Sequence, residues 1–164
     1  MKSIRFIALL VLLSIPVTLF AQEKCMDKDI VGPIVKVGVI ELGLKFKSRV
    51  DTGAKTSSIN AYNIKVEGGK SHGKNMINDL GKSISFTTQN NLGQEQRYTG
   101  EIIKVSKIKN AQGVERRYAI RLKIKLGKKI KSIQINLRNR KNLEYKLLLG
   151  RNWLENDYLV DVTK

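Results

Sequence analysis

Leu44-Lys45-Phe46-Lys47-Ser48-Arg49-Val50-Asp51-Thr52-Gly53-Ala54 changes character at Asp51. Up to Val50 the chain alternates, with Leu44, Phe46, Ser48 and Val50 on one face and Lys45, Lys47 and Arg49 on the other, the period of a half-buried strand. After Val50 comes a carboxylate on a small-residue turn. Ile120, Leu122, Ile124 and Leu126 alternate in the same way against Arg121, Lys123 and Lys125. Ile133, Ile135 and Leu137, Ile84 with Phe86, and Ile59 with Ala61 repeat the pattern. Turn residues separate these runs at Gly68-Gly69, Asn90 to Gly93, Asn110 to Gly113, Gly127 to Lys129 and Asn139 to Asn142. Many short punctuated strands imply an all-β domain, a small barrel or sandwich. Leu147-Leu148-Leu149 breaks the alternation and suits a strand buried on both faces. Arg151 to Asn156 is the best short helix, and the stretch from Lys70 to Lys82, with His72, reads as a mobile surface loop.

The first residues are a different kind of segment. Lys2 and Arg5 precede an uncharged apolar run from Phe6 to Phe20 that ends at Ala21, the pattern of a secretory signal peptide. Cleavage after Ala21 would leave residues 22–164 as one exported domain, periplasmic or secreted. A formal charge of +17 draws such a protein toward anionic surfaces, and export makes an envelope surface a better partner than nucleic acid. Many of the cations sit on the polar side of alternating strands, where solvation alone accounts for them. Cys25 is the only cysteine, so no internal disulfide forms, and Lys24 directly before it speaks against lipid attachment.

Asp51 in Asp51-Thr52-Gly53 is the candidate for chemistry. A carboxylate on a tight turn after a strand suits an aspartic peptidase: Gly53 permits close approach, Ala54 leaves room for substrate, and the Thr52 hydroxyl can brace the turn. That chemistry uses two aspartates sharing one proton, because like charges at such range cannot both ionise. One activates a water as general base while the other polarises the scissile carbonyl. No second Asp-Thr-Gly exists in the chain, so a symmetric homodimer has to bring the second Asp51. Trp153 reads as core packing in the short helix.

Leu147 to Asn152 resembles the apolar-apolar-Gly segment that passes beside the catalytic loop of a retropepsin subunit and leads into a short helix. More narrowly, Arg49 to Ser58, preceded by Gly32-Pro33 and Glu41-Leu42-Gly43 and followed by Leu148 to Arg151 and Leu159-Val160-Asp161, is similar to the bacterial retropepsin-like family that includes RimB-type proteins. The resemblance implies a small closed barrel of the acid-protease type with one short C-terminal helix, and an endopeptidase acting on peptide or protein. It implies catalytic residues Asp51, Thr52 and Gly53, substrate contacts at Ala54, Lys55, Gly150 and Arg151, and neither metal nor cofactor. The family has also carried the label of an ATP-dependent zinc protease. Gly81-Lys82-Ser83 resembles the end of a phosphate loop, yet the required earlier glycine is Met76; one His and one Cys cannot make a His-Glu-x-x-His site.

Viral retropepsins have an aspartate where this chain has Lys55, so Arg151 lacks the partner they would give it. Lys55 would make the cleft more positive, lower the pKa of the dyad and favour acidic substrates. Ile102 to Ile108 and Val114 to Ile120, joined across Asn110 to Gly113, form the best hairpin for a flap over the substrate, or an ordinary hairpin of the domain. Two rivals to the peptidase stand beside it: a module of the same fold that binds extended peptides without cutting them, and a charge-driven adaptor for anionic envelope surfaces.

Overall fold

A computed structural model describes residues 28–69, 73–110 and 113–164. The leader, Cys25, His72 and Ala111-Gln112 lie outside the described residues. Twelve strands and one short helix follow in chain order: β1 (Asp29–Val31), β2 (Ile34–Val39), β3 (Leu44–Val50), β4 (Ser57–Asn60), β5 (Tyr62–Val66), β6 (Ser83–Gln89), β7 (Glu95–Glu101), β8 (Lys104–Asn110), β9 (Gly113–Leu126), β10 (Lys129–Arg138), β11 (Leu147–Leu149), α1 (Arg151–Leu154) and β12 (Tyr158–Val160). The chain is mostly β, as its alternation implies.

The principal sheet runs β10-β4-β11-β3-β2-β9-β8, and β10 also pairs with β9, so the order of hydrogen-bonded strands returns on itself. β5, β6 and β7 make a separate antiparallel sheet, and β1 pairs in parallel with β12. Alternation places the core inside the returning sheet. Phe46 and Val50 of β3, Leu122 and Ile124 of β9, Ile133 and Ile135 of β10 and Ile59 of β4 are all buried, whereas Lys45, Lys47 and Arg49 are exposed. Each such aliphatic side chain withdrawn from water contributes about 1.5–3 kcal/mol. Trp153 is fully buried and stacks on Tyr158 with ring centroids 4.1 Å apart, the core role expected of it.

Three local expectations change. Leu147 and Leu149 are fully buried but Leu148 is only half-buried, so β11 has a partly open face. The helix ends at Leu154, two residues early. The described part of the Lys70 to Lys82 stretch is not a free surface loop. A 3-10 helix over Gly73–Asp79 buries Met76 and Asp79, and the Tyr118 hydroxyl donates to Asp79 Oδ2 at 2.5 Å while Lys82 Nζ donates to Oδ1 at 2.8 Å. Residues three apart share one face of a 3-10 helix, so Met76 and Asp79 enter the interior together without a strand-like alternation.

Candidate functional site

The chain between β3 and β4 is a loop of six residues, Asp51 to Thr56, and β11 lies between those two strands. β11 runs parallel to β3, with Leu149 opposite Val50, and antiparallel to β4, with Leu148 opposite Ser58. The Asp51 loop therefore has to cross over the end of β11. Asp51 N donates to Leu149 O at 2.9 Å, Arg151 N to Ala54 O at 2.8 Å and Asn152 N to Lys55 O at 3.3 Å, which clamps the loop to the turn that follows β11.

Gly150 is what permits the crossing. A Cβ there would stand 2.7 Å from Ala54 O and 2.8 Å from Thr56 C, closer than any side chain tolerates. The close backbone approach expected of Gly53 thus belongs to Gly150. At Gly53 a Cβ would meet Asp51 Oδ1 at 3.3 Å, so this glycine leaves space for the carboxylate instead. Asp51 Oδ1 accepts the amides of Gly53 at 3.0 Å and Ala54 at 3.1 Å. Two amides on one oxygen fix the side chain's direction. Oδ2 carries no hydrogen bond among the described residues, and Asp51 is half-buried, so that oxygen is free to meet a water or a second carboxyl group.

Thr52, Gly53 and Lys55 are exposed and Ala54 is half-buried, all on the rim of this crossing. Arg151 is exposed at the start of α1, and among the described residues no carboxylate pairs with it. Asn152, which sequence reasoning quoted without assigning it a task, locks the two halves together. Its Oδ1 accepts both Ser57 N and Ser57 Oγ at 2.9 Å, and its Nδ2 donates to Gln134 O at 2.7 Å. Ser57 Oγ in turn accepts Gly150 N at 3.0 Å, and Asn136 Nδ2 donates to Thr56 Oγ1 at 2.8 Å. The signal was present in the two polar residues beside the motifs, but nothing in their spacing pairs positions 57 and 152.

A second feature escaped the sequence reading entirely. Arg140, in the segment between β10 and β11, is buried; its Nε donates to Tyr145 O at 2.9 Å and its amide to Asn60 Oδ1 at 2.8 Å. Burial, and then the charges of Arg138 and Arg117, pull its guanidinium down to about 10, while the negative charge of Asp51 works the other way. Arg140 is thus a buried cation within electrostatic reach of Asp51. β8 and β9 pair antiparallel from Lys104 opposite Ala119 to Asn110 opposite Gly113, which is the hairpin expected between the two landmarks, shifted by about two residues along its first strand.

The family model described as RimB-like, retropepsin-like aspartic endopeptidase RimB, matches residues 30–164. A probable alpha-L-glutamate ligase of Shewanella halifaxensis is 36% identical over 116 residues, which cover 70% of this chain and 24% of that protein. One from Parasynechococcus marenigrum is 34% identical over 139 residues, 82% of this chain and 28% of the relative. The chain therefore spans about a quarter of the length of the curated relatives it matches. The crystal structure of a Legionella pneumophila protein of unknown function superposes with a TM-score of 0.64 at 31% identity, covering 83% of this chain and 95% of that one.

Proposed function

The chain belongs to the RimB-like family of retropepsin-like aspartic endopeptidases, and from that premise we propose that it hydrolyses peptide bonds with a water activated by two Asp51 carboxylates, one from each subunit of a homodimer. The observation that carries this reading is the Asp51 carboxylate itself: one oxygen is held by two backbone amides and the other is left free, on a loop clamped against β11. A general base needs this combination of fixed direction and an uncommitted lone pair. The two-fold axis would bring the free oxygens together, with Thr52 and Gly53 beside them and the returning sheet as the closed barrel behind. The short parallel β1–β12 sheet, with exposed Ile30 and Leu159, is the best candidate for the contact between subunits, since an isolated two-stranded sheet is marginal and its edges invite pairing.

Ala54, Lys55, Gly150 and Arg151 would line the floor under an extended peptide, and the β8–β9 hairpin would close over it. Lys55 and the buried Arg140 make that cleft positive, which favours acidic substrates. The name glutamate ligase describes whole relatives of which this segment is about a quarter, and we assign no ligase chemistry to it. Cleavage of a peptide library by residues 22–164 should vanish in Asp51→Asn with peptide binding retained, because the carboxamide oxygen can still accept both loop amides. Binding without cleavage by the parent protein would favour the module that holds extended peptides without cutting them, a reading supported by Lys55 and the unpartnered Arg151.

A further inference from the structure

The outer face of the principal sheet gathers lysines where the strand pairing sets them side by side. Lys45 of β3 and Lys125 of β9 both stand opposite Gly38 of β2, which brings no side chain between them. In the next row Lys47 of β3 is directly opposite Lys36 of β2. All four are exposed, and among the described residues none of them pairs with a carboxylate. Lys47 lies over the Tyr145 ring at 5.5 Å, which orients its charge without neutralising it. Like charges opposite each other destabilise a strand pair, and an anion from outside relieves them. Two open hollows of about 410 and 640 Å³ adjoin on this face and share Lys36 and Lys45.

Apolar side chains flank the cations. The larger hollow has Phe46 and Leu92 on its lining, and Leu92 is 80% exposed in the turn between β6 and β7. That turn is fastened in place: buried Asn90 accepts Leu92 N at 2.9 Å and Gln94 N at 3.0 Å on its Oδ1, while its Nδ2 donates to Lys45 O at 3.0 Å. A large aliphatic side chain is therefore held out into solvent beside Lys45. Ile130 of β10, also exposed, stands opposite Lys125 and ends the first row with a second one.

We propose that this face docks the protein on an anionic lipid bilayer, with Lys36, Lys45, Lys47 and Lys125 against the headgroups and Leu92 inserted at the acyl boundary. A lysine is a point charge on a flexible stem and follows mobile headgroups, whereas nucleic acid draws on arginine and on exposed aromatic rings, and the two rows hold neither. Exposed leucine and isoleucine beside the lysines add apolar area that only a bilayer can cover. Lys45 begins β3 one residue from its start and Asp51 lies just past its end, about 20 Å further on. The docking face and the Asp51 loop are separate regions, so the inference does not depend on peptidase activity.

The test is co-sedimentation of residues 22–164, which excludes the apolar leader, with extruded vesicles. At about 0.1 M salt, phosphatidylcholine vesicles containing about a third phosphatidylglycerol should carry down most of the protein and pure phosphatidylcholine vesicles little of it, and about 1 M salt should release it. Lys36→Gln with Lys45→Gln should weaken binding about thirtyfold. Lys104→Gln with Lys107→Gln, the same loss of charge on exposed positions of β8 that pair with the opposite end of β9, should weaken it about threefold at most. Leu92→Ser should weaken it about fivefold with the charge and the fold unchanged, since that side chain already stands in solvent. Equal binding to both kinds of vesicle, binding to neither, the same weakening by the two lysine pairs, or no effect of Leu92→Ser would overturn the proposal. A uridine oligonucleotide that bound more tightly than the anionic vesicles, and lost its hold in Lys36→Gln with Lys45→Gln, would overturn it in favour of nucleic acid.

Discussion

The floor that carries Asp51 and the arginine-rich wall of the cavity between β5, β9 and β10 are built by opposite means. The floor, Asp51 to Ser57 against Leu149 to Asn152, is held by backbone bonds and by the absence of a side chain at Gly150. The wall, around Glu115, Arg117, Arg138 and Arg140, is held by long charged side chains that have few partners. Steric closure makes the floor intolerant of an added Cβ at Gly150, whereas the wall's one ion pair, Arg117 with Glu115, involves a partly exposed acid. The Asp51 carboxylate is thereby fixed in direction, while the charged side chains around Glu115 keep room to rearrange.

That contrast breaks most sharply at Gly150. Gly150→Ala would force a Cβ against the carbonyl of Ala54 and the backbone of Thr56, and overpacking against main chain that cannot move away costs about 3 kcal/mol or more. Thermal unfolding should show a fall of many degrees; an unchanged midpoint would mean that the crossing is looser than described. Asn152→Ala comes next. It removes the acceptor of Ser57 N and Ser57 Oγ and the donor to Gln134 O, and leaving polar groups of a half-buried network unmet costs about 2 kcal/mol. Denaturant titration measures it, and a cost near zero would remove Asn152 from the clamp.

On the wall the effect on stability is smaller. The hydrogen bond from Arg117 holds the Glu115 carboxyl below its ordinary range. A depressed carboxyl contributes stability above its unfolded value of about 4.5, and that contribution is lost as pH falls through the lower folded value. Glu115 is partly solvated, so screening limits the contribution to a few tenths of a kcal/mol. Glu115→Gln should therefore leave stability almost unchanged at neutral pH and flatten slightly the acid limb of its pH dependence. A loss as large as that of Asn152→Ala would show that the wall is as rigid as the floor.

The floor was the legible half. Asp51-Thr52-Gly53 and Leu147 to Arg151 are contiguous, each reads as a strand running into a turn, and their strand alternation predicts which residues of β3 face inward. The contact of Gly150 with Ala54 and Thr56 was not legible, because which glycine meets which backbone depends on where β11 inserts. The wall was invisible for a related reason. Arg117, Arg138 and Arg140 sit in stretches rich in cations, where a charged residue on the polar side of a strand looks the same as one folded under a loop. Met76 and Asp79 were missed because their 3-10 spacing matches neither the strand period nor a full helix.

Subunit mixing puts the central claim to its most direct test. Wild-type and Asp51→Asn chains, combined in equal amounts and allowed to re-associate, should cleave an acidic peptide at about a quarter of the wild-type rate, because only dimers with two intact carboxylates carry a working dyad. A rate of about half, proportional to the wild-type chains present, would mean that each Asp51 acts alone and would contradict the shared dyad.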